Sequence, residues 1–395
     1  SVLQGVRETL TPEACQDVEV IGWLYQYYIS ERKDEVFAGL KKRRKIEAED
    51  IPAATQLFTP HWIVRYMVEN SLGRLWMLNH PESKLAEKMD YYIRPEQEEN
   101  DFLEIASPEE IKFCDPACGS GHILTYAFDL LYAIYEEQGY DPLAIPSLIL
   151  KENIYGIEID ARAGNLAAFA LTMKARAKDR RFFKRDVAPN LCVLENIRFS
   201  ASEIDEYMDV VGRDLFTQDL WQTLRQFEQA ENCGSLIRPA LKDIAFVRER
   251  LEEKGIFENL FLHDTNKRVK RVLEMAEYLS PRYHVVVANP PYMGGKGMNA
   301  ELKDFLKDQY PDFKSDTFAA FIIRNLEMTL PRGHLGFMSP FVWMFISSYE
   351  KLRNFLIDNK TITSLVQLEY SGFEGATVPI CTFTLESSRK LNFKG

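Results

Sequence analysis

Beyond Lys112 the chain repeats one pattern, a short apolar run followed by a stretch with apolar residues at helical spacing. The runs lie at 111–116, 154–159, 191–194, 285–288, 335–338, 365–368 and 380–385. Helical patterns separate the first six, and Ile123, Leu124, Ala127, Leu131 and Ile134 share one face of the first helix. Strands alternating with helices predict an α/β fold with a doubly wound, mostly parallel sheet. The last two runs are joined by about 11 residues with no helical stretch, which suits an antiparallel hairpin at the C-terminal end of the sheet.

The flanks read differently. Residues 1–50 are helical in pattern, with Val18, Ile21, Leu24 and Tyr25 at helical spacing. A second amphipathic helix follows Thr59-Pro60, where proline suits a first helical position. Residues 81–110 are polar and acidic, as a surface connection would be, and 200–282 form a long, polar, helix-rich stretch that interrupts the strand rhythm. Four parts are therefore expected: an N-terminal helical segment (1–110), one half of an α/β domain (111–199), a helical insertion (200–282), and the second half (283–395).

Composition narrows the class without naming a chemistry. Of 395 residues, 46% are hydrophobic and 27% charged, which excludes a disordered or low-complexity chain. Aromatic residues at 12% supply a large core. Six cysteines with no CxxC pair argue against a disulfide framework or a zinc site, so no metal is expected and the thiols read as reduced and cytoplasmic. No apolar run approaches the ~18 residues of a membrane span. The opening SVLQGVRETL has neither a starting Met nor a signal-peptide pattern and reads like the interior of a longer protein. A net charge of −11 speaks against non-specific coating of nucleic acid. It leaves a DNA enzyme open, because basic residues cluster at 41–45 (KKRRK), 174–185 (KARAKDRRFFKR) and 267–271 (KRVKR). Each cluster alone also fits a solvated helix face.

Three sites at strand ends carry candidate chemistry. Asp115-Pro116-Ala117-Cys118-Gly119-Ser120-Gly121 follows the first run and opens a helix, where an α/β sheet places a ligand. Gly119 and Gly121 let the backbone approach that ligand, and the helix start offers free N–H groups. The dinucleotide spacing GxGxxG is absent, so a ligand with a carboxylate and a sulfonium fits better than a pyrophosphate, with Asp115 nearby. A tight turn with no ligand is the alternative. In Gly156-Ile157-Glu158-Ile159-Asp160, Glu158 is placed to accept the two hydroxyls of a ribose and Asp160 to cap the next helix, unless both are caps. Asn289-Pro290-Pro291-Tyr292 ends the fourth run. Its prolines stiffen a turn that can present the Asn289 side-chain oxygen and the Pro290 carbonyl to an amino group, and Tyr292 offers a ring for a planar base.

These motifs resemble the γ-class N6-adenine DNA methyltransferases that use S-adenosylmethionine. The order Leu57-Phe58-Thr59-Pro60, DPACGSG, GIEID, NPPY is that of the γ class. Residues 316–321 (DTFAAF), 330–340 (LPRGHLGFMSP) and 373–386 (FEGATVPICTFTLE) look like later parts of the same domain, so the likeness spans roughly 50–390. The run NPPYMGGKGMNAELKDFLK, the helical N-terminal segment and the insertion look most like the large methyltransferases of BREX phage defence, with type IIG restriction–modification enzymes next.

The resemblance implies a Rossmann-like methyltransferase sheet, with S-adenosylmethionine held by Thr59, Pro60, Asp115, Ala117, Cys118, Gly119, Gly121, Glu158, Ile159 and Asn196. It implies direct methyl transfer to a flipped adenine by Asn289, Pro290, Pro291 and Tyr292. Double-stranded DNA is the implied partner, with other defence proteins beside it and no membrane. Two departures stand out. The family usually carries a target-recognition domain after the last hairpin, where this sequence stops at Gly395, and the third cofactor motif is represented only by Asn196 in LENIRF. Methylation of protein glutamine or RNA, and a scaffold that binds DNA or partners without turnover, are the competing readings.

Overall fold

The computed structural model describes residues 19–42, 44–55, 59–212, 214–259, 262–280, 283–369, 379–391 and 393. Val18, Leu57, Phe58 and the 373–378 part of the terminal motif lie outside the described residues.

Each of the seven apolar runs forms a strand: β1 (Phe113–Asp115), β2 (Ile154–Glu158), β3 (Asn190–Val193), β4 (Tyr283–Ala288), β5 (Thr329–Pro340), β6 (Thr361–Gln367) and β7 (Ile380–Glu386). They build one sheet in the order β3-β2-β1-β4-β5-β7-β6. β3 through β5 pair in parallel, and β7 runs antiparallel to both β5 and β6. The doubly wound, mostly parallel sheet is therefore present. The terminal hairpin is present too, but its second strand slots between β5 and β6. Burial along the strands explains the arrangement. Every residue of β7 is buried, as an interior strand requires, whereas β6 has exposed positions and takes the edge.

Alternation along β4 divides the core in two. Val285 and Val287 face one side and Val286 and Ala288 the other, as successive side chains of a strand must. On the first side lie the helices His61–Val68 and His122–Glu137, with Met67, Leu124 and Phe128 fully buried. On the second side lie the helices His263–Tyr278 and Thr317–Met328, through Val272, Leu273, Phe318 and Ile322. Fully burying each such side chain is worth about 1.5–3 kcal/mol. The helices of the 200–282 stretch thus cover a face of the sheet as well as interrupting the strand rhythm. Pro60 sits one position earlier than expected, as the N-cap of the helix His61–Val68, its carbonyl accepting the Ile63 and Val64 N–H groups. No described helix is long and apolar enough to cross a membrane.

Register sets the functional edge. Asp115 pairs with Gly156, Cys114 with Val286, and Ala288 with Phe337. The carboxyl ends of β1, β2 and β4 therefore stand side by side where strand order reverses, and an open α/β sheet forms its ligand crevice there.

Candidate functional site

From Asp115 the chain turns through Gly119 (φ 52°) and Gly121 (φ 87°) into the helix His122–Glu137. Gly121 must be glycine on two counts: its φ is left-handed, and an added Cβ would lie 2.9 Å from the Ala167 Cβ. The turn is tied to β2, because Cys118 N–H donates to the Ile157 carbonyl at 3.0 Å and Gly119 N–H to Glu158 Oε2 at 2.7 Å. Glu158 Oε1 accepts the Ile159 and Asp160 N–H groups at 2.9 and 3.0 Å. A ribose would therefore share a carboxylate that already holds two loops together, and Oε2 keeps the spare lone pair. Burial raises the proton affinity of Glu158 against those backbone bonds.

Asp115 is only 1% exposed, and the bond from Ala117 N–H at 3.1 Å is the one hydrogen bond to its carboxylate among the described residues. Burial, with Glu158 nearby, pushes its carboxyl up to about 8. Cys118 is buried beside it, and the same desolvation holds its thiol well above the ordinary range. Asp160 caps the helix Ala161–Lys178 by accepting Arg162 N–H, and it also takes the Tyr25 hydroxyl from the N-terminal helix.

At the end of β4, Asn289 Nδ2 donates to Thr59 Oγ1 at 3.0 Å, which joins the Thr-Pro element to the NPPY turn. Asn289 lines the cleft, but its oxygen is not free as the sequence suggests. It accepts the Tyr292 hydroxyl, because a phenol packed among apolar groups needs a partner and Asn289 is within reach. The Tyr292 ring meets Phe318 edge-on at 6.4 Å. Thr317 braces the turn, its hydroxyl donating to the Pro291 carbonyl at 2.6 Å and accepting Met293 N–H at 2.9 Å. Asp316 adds an acceptor for Met293 N–H at 3.0 Å, and burial pushes its carboxyl up to about 6.

Both half-sites open into one cleft enclosing about 1180 Å³, its open mouth included. Thr59, Asp115, Ala117, Cys118, Gly119, Glu158, Ile159, Asn289 and Pro291 line it. Pro60, Gly121, Pro290 and Tyr292 adjoin these residues in the chain and are not themselves in the lining. Asn196 is directed away: its amide exchanges hydrogen bonds with Glu231 at 2.9 and 3.0 Å, and Leu194 lines the cleft instead. Sequence reasoning missed the wall opposite. It comes from Asn232 to Leu236 in the helical stretch and from Gly22, Ile51 and Pro52 in the N-terminal segment. Ser235 donates to the Pro116 carbonyl at 2.6 Å and so fastens that wall to the glycine turn. The one local signal was Gly234, which has a φ of 56°. Among the described residues no group of His, Cys, Asp or Glu is arranged to hold a metal.

Residues 152–373 match the Eco57I restriction-modification methylase family, and residues 98–201 match the MmeI DNA-methyltransferase domain. The chain belongs to the Eco57I restriction-modification methylase family. It is 42% identical to the adenine-specific methyltransferase BrxX of Escherichia coli O9:H4 (strain HS), over 94% of this chain and 33% of that one. It is 34% identical to the adenine-specific methyltransferase PglX of Lacticaseibacillus casei (strain Zhang), over 96% and 33%. With the type II restriction enzyme and methyltransferase RM.Eco57I of Escherichia coli the identity is 24%, over 95% and 32%. The chain thus spans about a third of the length of these relatives. The segment matching the methylase family contains Glu158 and the NPPY turn, two of the three strand-end sites.

Proposed function

We propose that this chain binds S-adenosylmethionine in the cleft and transfers its methyl group to the N6 amino group of an adenine extruded from double-stranded DNA, in phage defence or restriction–modification alongside other defence proteins. The observation that carries this is the meeting of an acid-lined glycine turn and the NPPY turn in one cleft. The residues fit the cofactor. Asp115 is a buried carboxylate with a single hydrogen bond among the described residues, suited to a cationic ligand, and Glu158 keeps a lone pair for one ribose hydroxyl. Bound there, S-adenosylmethionine supplies an electrophilic methyl group on a positive sulfur.

The protein's part is positioning. The adenine amino group would take the place of the Tyr292 hydroxyl on Asn289 Oδ1, and the Pro290 carbonyl would accept its second hydrogen. Release from Asn289 leaves the Tyr292 ring to stack on the base, against an unstacking cost of a few kcal/mol. Thr59 holds the Asn289 amide in orientation and Thr317 holds the prolines. No enzyme nucleophile is needed, and the Cys118 thiol stays protonated at neutral pH. In this reading residues 111–199 hold the cofactor and 283–395 handle the target base, with the 200–282 stretch completing the cofactor wall.

The test is an acceptor competition. With tritiated S-adenosylmethionine, label should pass to duplex DNA and not to RNA or to a protein carrying accessible glutamines. Label in protein or RNA with none in DNA would overturn the proposal.

A further inference from the structure

Three basic runs stand out in a chain of net charge −11, and the structure separates them. In 174–185, Lys174 pairs with Asp129, Arg185 with Asp179 at 2.6 Å, and Arg176 and Lys178 lie over the rings of Phe183 and Tyr132. In 267–271, Arg268 pairs with Glu203, Arg271 with Glu195 and Glu274, and Lys270 lies over Phe257. These two runs are therefore partly tied into the fold, while Arg180, Arg181, Lys184 and Lys267 stay exposed and form no ion pair among the described residues.

The 41–45 run has a different setting. It leads into Ile46, whose N–H donates to the Gly297 carbonyl at 3.0 Å and which bridges to Met298. That straps the run onto the turn directly after Asn289–Tyr292. The Lys45 ammonium donates to the Lys296 carbonyl, and the Lys303 ammonium stands next to it. Lys296 is exposed, and Lys307 follows Lys303 by one turn of the helix Ala300–Gln309. Among the described residues Lys45, Lys296 and Lys303 form no ion pair with a carboxylate, and neither Glu301 nor Asp304 of that helix joins them. Like charges set near each other repel in the free protein, and an anion between them would relieve the repulsion. Partial desolvation and the Lys303 charge lower the proton affinity of Lys45, in keeping with that crowding.

We propose that Lys45, Lys296 and Lys303 form a phosphate clamp that grips the DNA backbone beside the extruded target base. The inference rests on the DNA reading above and adds where the duplex touches this chain. It also gives the 294–298 turn a role: fastened to residues 45 and 46, it carries the clamp at a fixed distance from Asn289.

The test is the salt dependence of binding to a fluorescent duplex of about 30 base pairs, from about 50 to about 200 mM salt. Each phosphate contact contributes about 0.9 to the slope of log K against log salt. Lys303→Gln should lower the slope, and the double variant Lys45→Gln/Lys303→Gln should lower it by about 0.9, the loss of one shared phosphate contact. Lys174→Gln/Lys178→Gln should leave it unchanged. S-adenosylmethionine affinity should not move, since neither clamp lysine lines the cleft. Lys303→Gln breaks no ion pair among the described residues and reads the clamp even where the double variant folds poorly. Wild-type binding to DNA with a slope unchanged in Lys303→Gln would overturn the clamp alone. A folded wild-type chain that binds no DNA at about 50 mM salt would overturn the DNA reading itself. A slope change on an RNA duplex but not on DNA would also overturn the clamp.

Discussion

Replacing Asp115 by Asn should change how the affinity for S-adenosylmethionine depends on pH as well as its size. In the ligand-free chain, burial near Glu158 pushes the Asp115 carboxyl from its ordinary 3.8 up to about 8. About 1% of the chains then carry the carboxylate at pH 6, and about half at pH 8. A cationic ligand that needs the charged form binds in proportion to that fraction, so its affinity should rise about 50-fold between these pH values, or about 2.3 kcal/mol. Binding at pH 6 to 7 should release close to one proton per site. Calorimetric titration at pH 6, 7 and 8, in buffers of different ionisation enthalpy, reads both quantities. Asp115→Asn should bind more weakly at pH 8 and show a flatter pH dependence, set by Glu158 and the ligand's own ionisation. Folding stability must follow the opposite sign. A carboxyl whose folded pKa lies above its unfolded value favours the folded state most at low pH, and that contribution is lost as pH rises from about 4 to about 8. Parallel pH curves for wild type and Asp115→Asn would show that Asp115 ionisation does not govern binding.

Gly121→Ala should lose about 2 kcal/mol or more in urea unfolding, from a left-handed φ of 87° and a 2.9 Å approach to the Ala167 Cβ. Ser235→Ala removes the bond to the Pro116 carbonyl and should weaken S-adenosylmethionine by about three- to tenfold in a direct titration. Tyr292→Phe keeps the ring and loses only the hydroxyl bonded to Asn289, so methylation should stay within about threefold of wild type. Tyr292→Ala loses base stacking worth about 1–3 kcal/mol and should lower kcat/KM by about 10- to 100-fold. Equal losses in the two Tyr292 variants would argue against stacking.

The sheet was legible because its strands are short apolar runs between amphipathic helices, a signal carried by a few adjacent residues. The edge order was less so. That β7 enters between β5 and β6 depends on burial of all its residues, including Thr382 and Thr384, which a polarity pattern places at a surface. Asp115, Glu158 and Asn289 were legible because each ends a strand, and parallel register alone brings strand ends together. Asn196 and Ser235 illustrate the limit. Asn196 follows β3 closely, yet Glu231 takes its amide. Ser235 lies 119 residues from the Pro116 carbonyl it holds. Both outcomes follow from how the 200–282 helices pack, and that packing has no local trace. The Asn289–Tyr292 bond escaped for another reason: the sequence shows two polar groups three residues apart without showing that burial turns them on each other.

Delivery of a methyl group from this cleft to adenine N6 would leave a product that can be read directly. The most direct measurement incubates the chain and unmethylated genomic DNA with methyl-deuterated S-adenosylmethionine, then hydrolyses the DNA to nucleosides for mass spectrometry. Labelled N6-methyldeoxyadenosine is the expected product, and Asn289→Ala should abolish it while binding the cofactor normally. Label on cytosine, or no label from a chain that binds both cofactor and DNA, would contradict the account.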